Sequence, residues 1–291
     1  MPELPEVETY VRYLRPLLEG RRIMRFVTLW PKQAEPDPAT VDRGITGKRI
    51  VRLHRRAKYI VADLADVRRK SLSKRNDEPY NGGHLLVHLR MTGRLERTDR
   101  RTPPPEHARA SFRLDDGGTL WFCDSRKFGR IRYTEDLAAA TEHLGVEPLE
   151  RGFTADRLAD LLRGRDRLLK PLLLDQALVA GLGNIYVDES LFQAGLHPLA
   201  SARDLTDEQI RRLHRAIRSV LTKSIRLGGT SFDWVYPDGG MKKYLFVYGR
   251  TGLPCKRCST PITALRVGQR GTHVCPRCQG KGDKIKRQRG N

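Results

Sequence analysis

The chain lacks any long apolar run, and its start does not look like a secretory signal. Hydrophobic residues make up 38% of its 291 residues, and no stretch approaches the roughly 18 consecutive apolar residues that a membrane span needs. The first eight residues read Met-Pro-Glu-Leu-Pro-Glu-Val-Glu, which is acidic where a signal peptide is basic and then apolar. We therefore expect a cytoplasmic protein in a reducing compartment, with no membrane partner.

Cysteine is also scarce, with five residues in the whole chain. The length suits about two domains, each able to bury its own core, and disulfides are rare in a reducing compartment. A small scaffold held together by disulfides is therefore excluded.

Acidic side chains are outnumbered, with 34 Asp and Glu against 55 Lys and Arg and a formal net charge of +21. Such an excess predicts an anionic partner, and nucleic acid is the leading choice. Both a DNA-processing enzyme and a non-catalytic DNA-binding protein would carry this charge, so it does not separate the two.

An amphipathic helix followed by strands is predicted for the first half of the chain. Apolar residues recur at intervals of one, three or four over residues 6–18, which marks one face of a helix. Short strand-like runs follow over residues 26–133, and Asp-Asp-Gly-Gly at 115–118 is a hairpin signal because Gly adopts positive φ. These patterns predict an antiparallel β-sheet or sandwich in a domain of residues 1–134, with a basic loop insertion at 66–83 that is poor in apolar side chains.

The apolar period becomes helical again after residue 134. It predicts helices over residues 168–180, 185–194 and 205–227. Thr206 and Gln209 have the spacing of a capping box at the start of the last of these helices. We predict a second, α-helical domain.

Four of the five cysteines form two Cys-x-x-Cys pairs separated by sixteen residues: Cys255, Cys258, Cys275 and Cys278. Two such pairs can close a tetrahedral zinc site on a β-hairpin, and four thiolates leave no open position for water, so a structural zinc ion is predicted. Zinc binding would supply on the order of 10 kcal/mol of folding free energy. His273 is a less favoured fifth candidate, and Cys123 is expected in the core.

The other candidate for chemistry is the N-terminus. Removal of Met1 would make Pro2 the first residue, with a secondary amine whose pKa lies near 8. Such an amine can attack an aldehyde-level carbon and form an iminium ion, and Glu3 and Glu6 could donate or accept protons beside it. Composition alone also allows Pro2 to be an ordinary chain start.

Four segments and the cysteine hairpin together resemble the formamidopyrimidine-DNA glycosylase family. The segments are Pro-Glu-Leu-Pro-Glu-Val-Glu at 2–8, Arg-Ala-Lys-Tyr at 56–59, Gly-Leu-Gly-Asn-Ile-Tyr at 181–186 and Val-Tyr-Gly-Arg at 247–250. The resemblance implies an α+β multidomain fold, with an N-terminal helix and antiparallel β-sandwich, a C-terminal helix-two-turn-helix domain and a four-cysteine zinc-finger β-hairpin.

The resemblance also places the domain boundaries. A linker is expected at residues 135–150, and the helix-two-turn-helix domain at 151–250 contains a lesion-capping loop at 229–243. The zinc finger follows at 251–280, and a basic tail occupies 281–291.

The activity that the resemblance implies is that of a bifunctional DNA glycosylase and AP lyase of base excision repair. Such an enzyme excises 8-oxoguanine and formamidopyrimidines from double-stranded DNA, with the lesion opposite cytosine, and cuts the abasic strand by β,δ-elimination. A monomer without an obligate protein partner, acting on the nucleoid, is expected.

The resemblance assigns roles to individual residues. Pro2 would be the nucleophile at the deoxyribose C1′, Glu3 the general acid and base, and Glu6 an ordering group. Lys58 and Arg270 would act beside them by gripping phosphates near the lesion.

Further DNA contacts are implied for His107, Lys170 and Asn184. Met91, Arg126 and Phe128 would fill the gap that the flipped base leaves in the stack, with Arg126 also facing the estranged base. Without the resemblance, Met91 and Phe128 would be read as core residues, Lys58 as an exposed strand lysine and Asn184 as a plain helix cap.

Besides the basic insertion at 66–83, two features depart from the family pattern. Arg90 precedes Met91 where a small residue is usual, and Asp233 falls in a short capping loop about where some members carry a lysine. A preference for oxidised pyrimidines, as in endonuclease VIII-like enzymes, is therefore the alternative, although Leu4 and the void-filling set favour purines. A tautomerase also uses an N-terminal proline, but it is much smaller and has no zinc site.

Overall fold

The structure is a computed structural model that describes residues 1–66, 81–232 and 236–280. Most of the basic loop predicted at 66–83, Asp233 and the whole predicted basic tail lie outside the described residues. The chain forms two compact units.

The first unit contains residues 6–66 and 81–142 together with Met1 and Pro2. Its helices are α1 (Leu4–Leu18, which belongs to this unit from Glu6 onward), α2 (Pro38–Ile45), α3 (Leu137–Thr141) and a 3₁₀ turn, Pro31–Gln33. Its strands are β1 (Ile23–Thr28), β2 (Ala34–Glu35), β3 (Arg49–Arg56), β4 (Tyr59–Ala65), β5 (His84–His88), β6 (Gly93–Thr98), β7 (Ala108–Leu114), β8 (Thr119–Asp124) and β9 (Arg130–Thr134).

These strands form two sheets, in the orders β2-β9-β5-β4-β3 and β1-β7-β8-β6. All neighbours pair antiparallel except the two-residue strand β2, which pairs parallel to β9. The predicted hairpin at 115–118 joins β7 to β8, and Gly117 there has a φ of 83°. The predicted sandwich is therefore confirmed.

The apolar face of α1 packs into the core of this sandwich. The buried face consists of Val7, Tyr10, Val11, Leu14 and Leu18, in one cluster with residues of both sheets. Burial of apolar area, at about 25 cal/mol per Å², is what stabilises this helix. The helix continues through Pro16 and ends at Leu18.

The second unit contains Glu3–Pro5 and residues 143–232 and 236–280. Its helices are α4 (Ala155–Leu162), α5 (Leu169–Leu174), α6 (Asn184–Ala194), α7 (Asp207–Arg226) and two 3₁₀ turns, Ala202–Asp204 and Met241–Tyr244. Its strands form two hairpins, β10 (Thr230–Phe232) with β11 (Tyr236–Gly240) and β12 (Thr263–Val267) with β13 (Arg270–Val274).

The helix ends follow from local side chains. The capping box of Thr206 and Gln209 is present at the start of α7, as predicted. The prediction of one helix over 168–180 was wrong beyond Leu174, where α5 ends. The chain turns there, and the Asp175 side chain accepts a hydrogen bond from the Ala177 amide (3.0 Å). Within the described residues, no helix combines the length and apolar character that a membrane crossing requires.

Candidate functional site

Glu3 is fixed at the N-terminus of α6. Its buried carboxylate accepts hydrogen bonds from the backbone amides of Ile185 (2.9 Å) and Tyr186 (3.3 Å). The first amides of a helix have no partner within the helix and lie at the positive end of its dipole, so they stabilise an anion. The carboxylate that directly follows Pro2 is therefore held in one orientation.

The turn before α6 is shaped to receive this N-terminal segment. The Leu4 amide donates to the Gly181 carbonyl (3.0 Å), and a Cβ on Gly183 would lie 2.3 Å from Cδ of Glu3. Gln176 fixes the turn because its Oε1 accepts from the Gly181 amide (3.0 Å) and its Nε2 donates to the Leu182 carbonyl (2.8 Å). The sequence analysis did not identify Gln176, which lies outside the family-like segments.

Asn184 joins the start of α6 to the β12–β13 hairpin. It is the first residue of the helix after the cap residue Gly183, and its Nδ2 donates to the Gly271 carbonyl at 2.9 Å. The side chain is therefore not a plain helix cap.

Lys170 lies in the interior of the second unit, and its expected contact with phosphate stays a prediction. Its side chain is fully buried, and its Nζ donates to Asp188 (2.6 Å), to Thr272 Oγ1 (2.8 Å) and to the Gly271 carbonyl (3.1 Å). Burial lowers the pKa of Lys170, and the Asp188 carboxylate opposes that shift. In this structure Lys170 supports the hairpin that carries Arg270.

Two acidic residues of α6, which the sequence analysis missed, hold other segments of the second unit. Asp188 accepts from the His273 amide (2.9 Å) and contacts its ring nitrogen Nδ1 (3.2 Å). Glu189 accepts from three consecutive amides, those of residues 246–248, at 2.9–3.1 Å. Burial raises the pKa of Glu189, while these three donors act against the rise. His273 is thus occupied by Asp188, which fits the preference for a four-cysteine metal site.

The four cysteines converge as predicted. Their Sγ atoms all lie within 4.8 Å of one another, with the shortest separations at 3.4–3.9 Å. A tetrahedral zinc ion with Zn–S bonds of about 2.3 Å needs S–S distances of about 3.8 Å, so the residues fit one structural zinc ion. The Arg257 and Cys278 amides each lie 3.4 Å from a cysteine sulfur and can donate to it. Cys123 is buried in the first unit, where burial raises its pKa to about 11.

Arg270 is exposed at the start of β13. The preceding hairpin turn is tight, since Gly268 and Gln269 both have positive φ, 53° and 62°. The turn therefore leaves the guanidinium group on the surface of the hairpin.

Lys58 is buried in the first unit, in the turn between β3 and β4, so it is not an exposed strand lysine. The preceding Ala57 has a φ of 52°. His88 lies at the end of β5, where burial first, and then the charges of Arg90 and Lys58, lower its pKa to about 3. Its Nδ1 accepts from the Arg90 amide (3.0 Å), so this neutral imidazole holds the residue before Met91.

The three expected void-filling residues lie on the surface of the first unit. Met91 is 44% exposed and Phe128 is 45% exposed, which excludes the core packing that their residue types would suggest. The Arg126 guanidinium lies 4.9 Å from the Phe128 ring centroid, in cation–π geometry.

Two further predicted residues also belong to the first unit. Glu6 is buried in the first turn of α1. His107 is exposed, has a φ of 61°, and its Nε2 lies 3.1 Å from a carboxylate oxygen of Glu106. The geometry of His107 leaves it accessible to an anion.

Three family models match the chain. They are the formamidopyrimidine-DNA glycosylase N-terminal domain over residues 1–131, the H2TH domain of the same enzymes over 144–235, and a zinc finger found in FPG and IleRS over 252–280.

The chain is similar to curated proteins named formamidopyrimidine-DNA glycosylase. It is 44% identical to that of Symbiobacterium thermophilum over 290 residues, covering 96% of this chain and 89% of the relative. It is 40% identical to that of Protochlamydia amoebophila over 291 residues, covering 97% and 100%.

The chain is also similar in fold and sequence to solved structures. The Lactococcus lactis enzyme (Fpg or MutM), bound non-covalently to DNA with an AP site, has a TM-score of 0.85 and 34% identity, covering 96% of this chain and all of that one. MutM in complex with DNA containing carbocyclic 8-oxo-G has a TM-score of 0.86 and 35% identity with the same coverage.

Proposed function

Because the chain belongs to the formamidopyrimidine-DNA glycosylase family, we propose that it excises oxidised purines through a Schiff base on Pro2 and then cuts the strand by β,δ-elimination. The family supports the coarser statement directly: this is a DNA glycosylase for oxidised purines in base excision repair. We propose that it acts in the cytoplasm, on the nucleoid.

The chemistry begins at the amine of Pro2 once Met1 has been removed. The nitrogen bonds to C1′ of the damaged nucleotide, the bond from C1′ to the base breaks, and its electron pair leaves with the base, which takes up the proton that the nitrogen loses. Opening of the sugar ring then gives an iminium ion, as Glu3 protonates the departing ring oxygen. The iminium is an electron sink: loss of a C2′ proton expels the 3′ phosphate, and loss of the C4′ proton from the resulting conjugated iminium then expels the 5′ phosphate.

The observation that carries this proposal is the fixed carboxylate of Glu3 directly after Pro2. The two amide donors of α6, at 2.9 and 3.3 Å, hold an acid–base group in place before the substrate arrives. Positioned general acids and bases contribute typically about 10²–10⁴-fold to rate.

DNA contacts are proposed separately for each unit. In the second unit, Arg270 and Asn184 bind backbone phosphate, and Lys170 supports them from the interior. In the first unit, Lys58 and His107 bind phosphate and Glu6 orders the N-terminal helix. Met91, Arg126 and Phe128 enter the duplex when the base flips out, which offsets part of the few kcal/mol that flipping costs.

The test is reductive trapping. Purified protein is incubated with a duplex that holds one 8-oxoguanine opposite cytosine, borohydride is added, and a covalent protein–DNA adduct is sought. Intact mass first establishes that Met1 is absent. We expect the wild-type protein to be trapped, trapping to fall with Pro2→Gly and Glu3→Gln, and a variant with one residue inserted between Met1 and Pro2 not to be trapped at all.

Each other outcome has a defined meaning. Trapping only on an oxidised pyrimidine or an abasic site would support the Pro2 mechanism but contradict the proposed preference for oxidised purines. Trapping that survives the inserted residue would contradict the role of Pro2. A wild-type protein that is not trapped on any of the three substrates would favour a non-catalytic DNA-binding protein.

A further inference from the structure

Asp124 is a buried carboxylate to which the sequence analysis gave no role. It is the last residue of β8, and it is completely inaccessible to solvent. Its Oδ1 accepts hydrogen bonds from the Thr92 hydroxyl and from the Arg126 amide (3.2 Å), and its Oδ2 accepts from the Gly129 amide (2.7 Å). Hydrogen bonds to a carboxylate are roughly twice as strong as those between neutral groups.

These three donors lie in the two loops that carry the exposed void-filling residues. Thr92 directly follows Met91, in the turn between β5 and β6. Arg126 and Gly129 flank Phe128 in the turn between β8 and β9. One carboxylate therefore holds both turns, although the two are separated by more than thirty positions along the chain.

The second turn is also held close to the sheet from other sides. A Cβ on Gly129 would lie 2.2 Å from Cζ of Phe122, so the turn approaches the core more closely than any side chain permits. The Nζ of Lys127, a residue with a φ of 60°, lies 4.4 Å from the Trp30 ring centroid on the outer side. The second turn thus has contacts of its own with the sheet. The hydroxyl of Thr92 links the Met91 turn to Asp124 and also accepts from the Arg126 amide (3.2 Å).

We propose that Asp124 is a positioning residue that couples these two turns, so that Met91, Arg126 and Phe128 enter the duplex together. This inference rests on the proposed void-filling role. Side chains that are ordered before binding lose less conformational entropy on insertion. Separating the two turns should therefore slow base excision from duplex DNA while leaving the amine chemistry of Pro2 intact.

Thr92→Val tests this coupling, because it keeps the side-chain shape and removes only the hydroxyl. Two activities are measured: single-turnover excision of 8-oxoguanine from a duplex, and cleavage at an abasic site in a single strand, where no base stack remains to be filled. We expect excision to fall about tenfold or more, on the scale of losing a hydrogen bond to a charged group, and single-strand cleavage to stay within about twofold of wild type.

Two variants serve as controls. Thr92→Ser keeps the hydroxyl and should excise 8-oxoguanine at close to the wild-type rate. Thr46→Val makes the same chemical change at another Thr–Asp pair of the first unit, where the Thr46 hydroxyl donates to Asp42 (2.6 Å), and it should behave like wild type.

Asp124→Asn gives a second measurement. Arg126 and Gly129 donate to different oxygens of Asp124, and one of these oxygens becomes an NH2 donor in Asn, so this variant disturbs the Phe128 turn as well. Thr92→Val and Asp124→Asn both break the link between the two turns. The double variant should therefore lose less excision activity than the product of the two single losses predicts.

The outcomes separate the inference from the function on which it rests. Thr92→Val with excision equal to wild type, or with both activities reduced equally, would overturn the coupling. A wild-type protein that excises no lesion would instead contradict the proposed function.

Discussion

A Cβ atom on Gly183 would lie 2.3 Å from Cδ of Glu3 and 2.6 Å from its Oε1. Glycine is therefore required at this position because of the carboxylate it faces, since Gly183 is not among the residues with positive φ. The general acid of the proposed mechanism and the turn that receives it are matched in shape.

We predict that Gly183→Ala lowers base excision by about 100-fold, because the added methyl group must displace the carboxylate from the amides of Ile185 and Tyr186. Single-turnover excision of 8-oxoguanine measures the effect, and circular dichroism checks the fold. Gly152→Ala is the matched control, since a Cβ there meets nothing within 4 Å. If Gly183→Ala excises as fast as Gly152→Ala, the carboxylate position does not control the rate.

Removal of zinc should reveal a difference in thiol reactivity between the four clustered cysteines and Cys123. After a chelator extracts the metal from the native protein, we expect four thiols to react with a colorimetric thiol reagent. Cys123 should stay unreactive until denaturant is added, because burial raises its pKa to about 11 and the thiolate is the reactive form. The apoprotein should also lose DNA binding, because zinc holds the hairpin that carries Arg270.

Two variants complete this prediction. Cys275→Ala should contain no zinc and bind DNA poorly, and Cys123→Ala should keep one zinc per chain. A Cys275→Ala protein with full zinc content would show that the four cysteines are not the metal site.

Features fixed by neighbouring residues could be predicted from the sequence. The zinc cysteines lie within 24 consecutive positions, 255–278, and the spacing of their two pairs is itself the signal. The capping box of Thr206 and Gln209 is likewise local, because each side chain binds the backbone of the other. Interactions between residues close in the chain were enough to predict both features.

Features that depend on distant segments could not be predicted in this way. The Glu3 carboxylate accepts a hydrogen bond from an amide 182 residues away. Its place beside Pro2 suggested a role in proton transfer, but nothing near it in the chain pointed to this contact. Asp188 looks like a surface residue of an ordinary helix, and nothing near it in the chain shows that it is buried with Lys170. Burial of a charge is decided by tertiary packing, so the burial of Lys170 could not be predicted from the residues around it.

His88 should make the stability of the protein depend on pH. Its pKa is about 3 in the folded state and 6.5 ordinarily, so the unfolded chain binds the additional proton between these values. Stability from this group is complete above pH 6.5 and is lost as the pH falls toward 3, with a slope that approaches about 1.4 kcal/mol per pH unit. Urea unfolding between pH 4 and 7 should show a flatter profile for His88→Gln than for wild type, and parallel profiles would contradict the assignment.

Arg126 should set the preference for the base opposite the lesion. We predict that Arg126→Ala reduces the ratio of excision rates opposite cytosine and opposite adenine by about tenfold, on the scale of one specific arginine–base contact. Rates on the two duplexes measure the ratio. Arg52→Ala removes another exposed arginine of the first unit and should leave the ratio unchanged. A ratio that is preserved in Arg126→Ala would assign the discrimination to another residue.

Lys170 and Arg270 should differ in how they contribute to DNA binding. Each phosphate that a protein neutralises changes the slope of log K against log salt concentration by about 0.9. Arg270 is exposed, so Arg270→Ala should reduce the magnitude of the slope by about that amount. Lys170 is buried against Asp188, so removing both charges with Lys170→Met and Asp188→Leu should weaken binding without changing the slope.

The paired replacement matters because Lys170→Met alone would leave the Asp188 carboxylate buried without its cation, which is strongly destabilising. Affinity for an abasic-site duplex is measured by fluorescence anisotropy at five or more salt concentrations, after zinc content has shown that the hairpin is intact. If the paired variant loses the same slope as Arg270→Ala, then Lys170 reaches a phosphate when DNA is bound, and its interior position belongs only to the free protein.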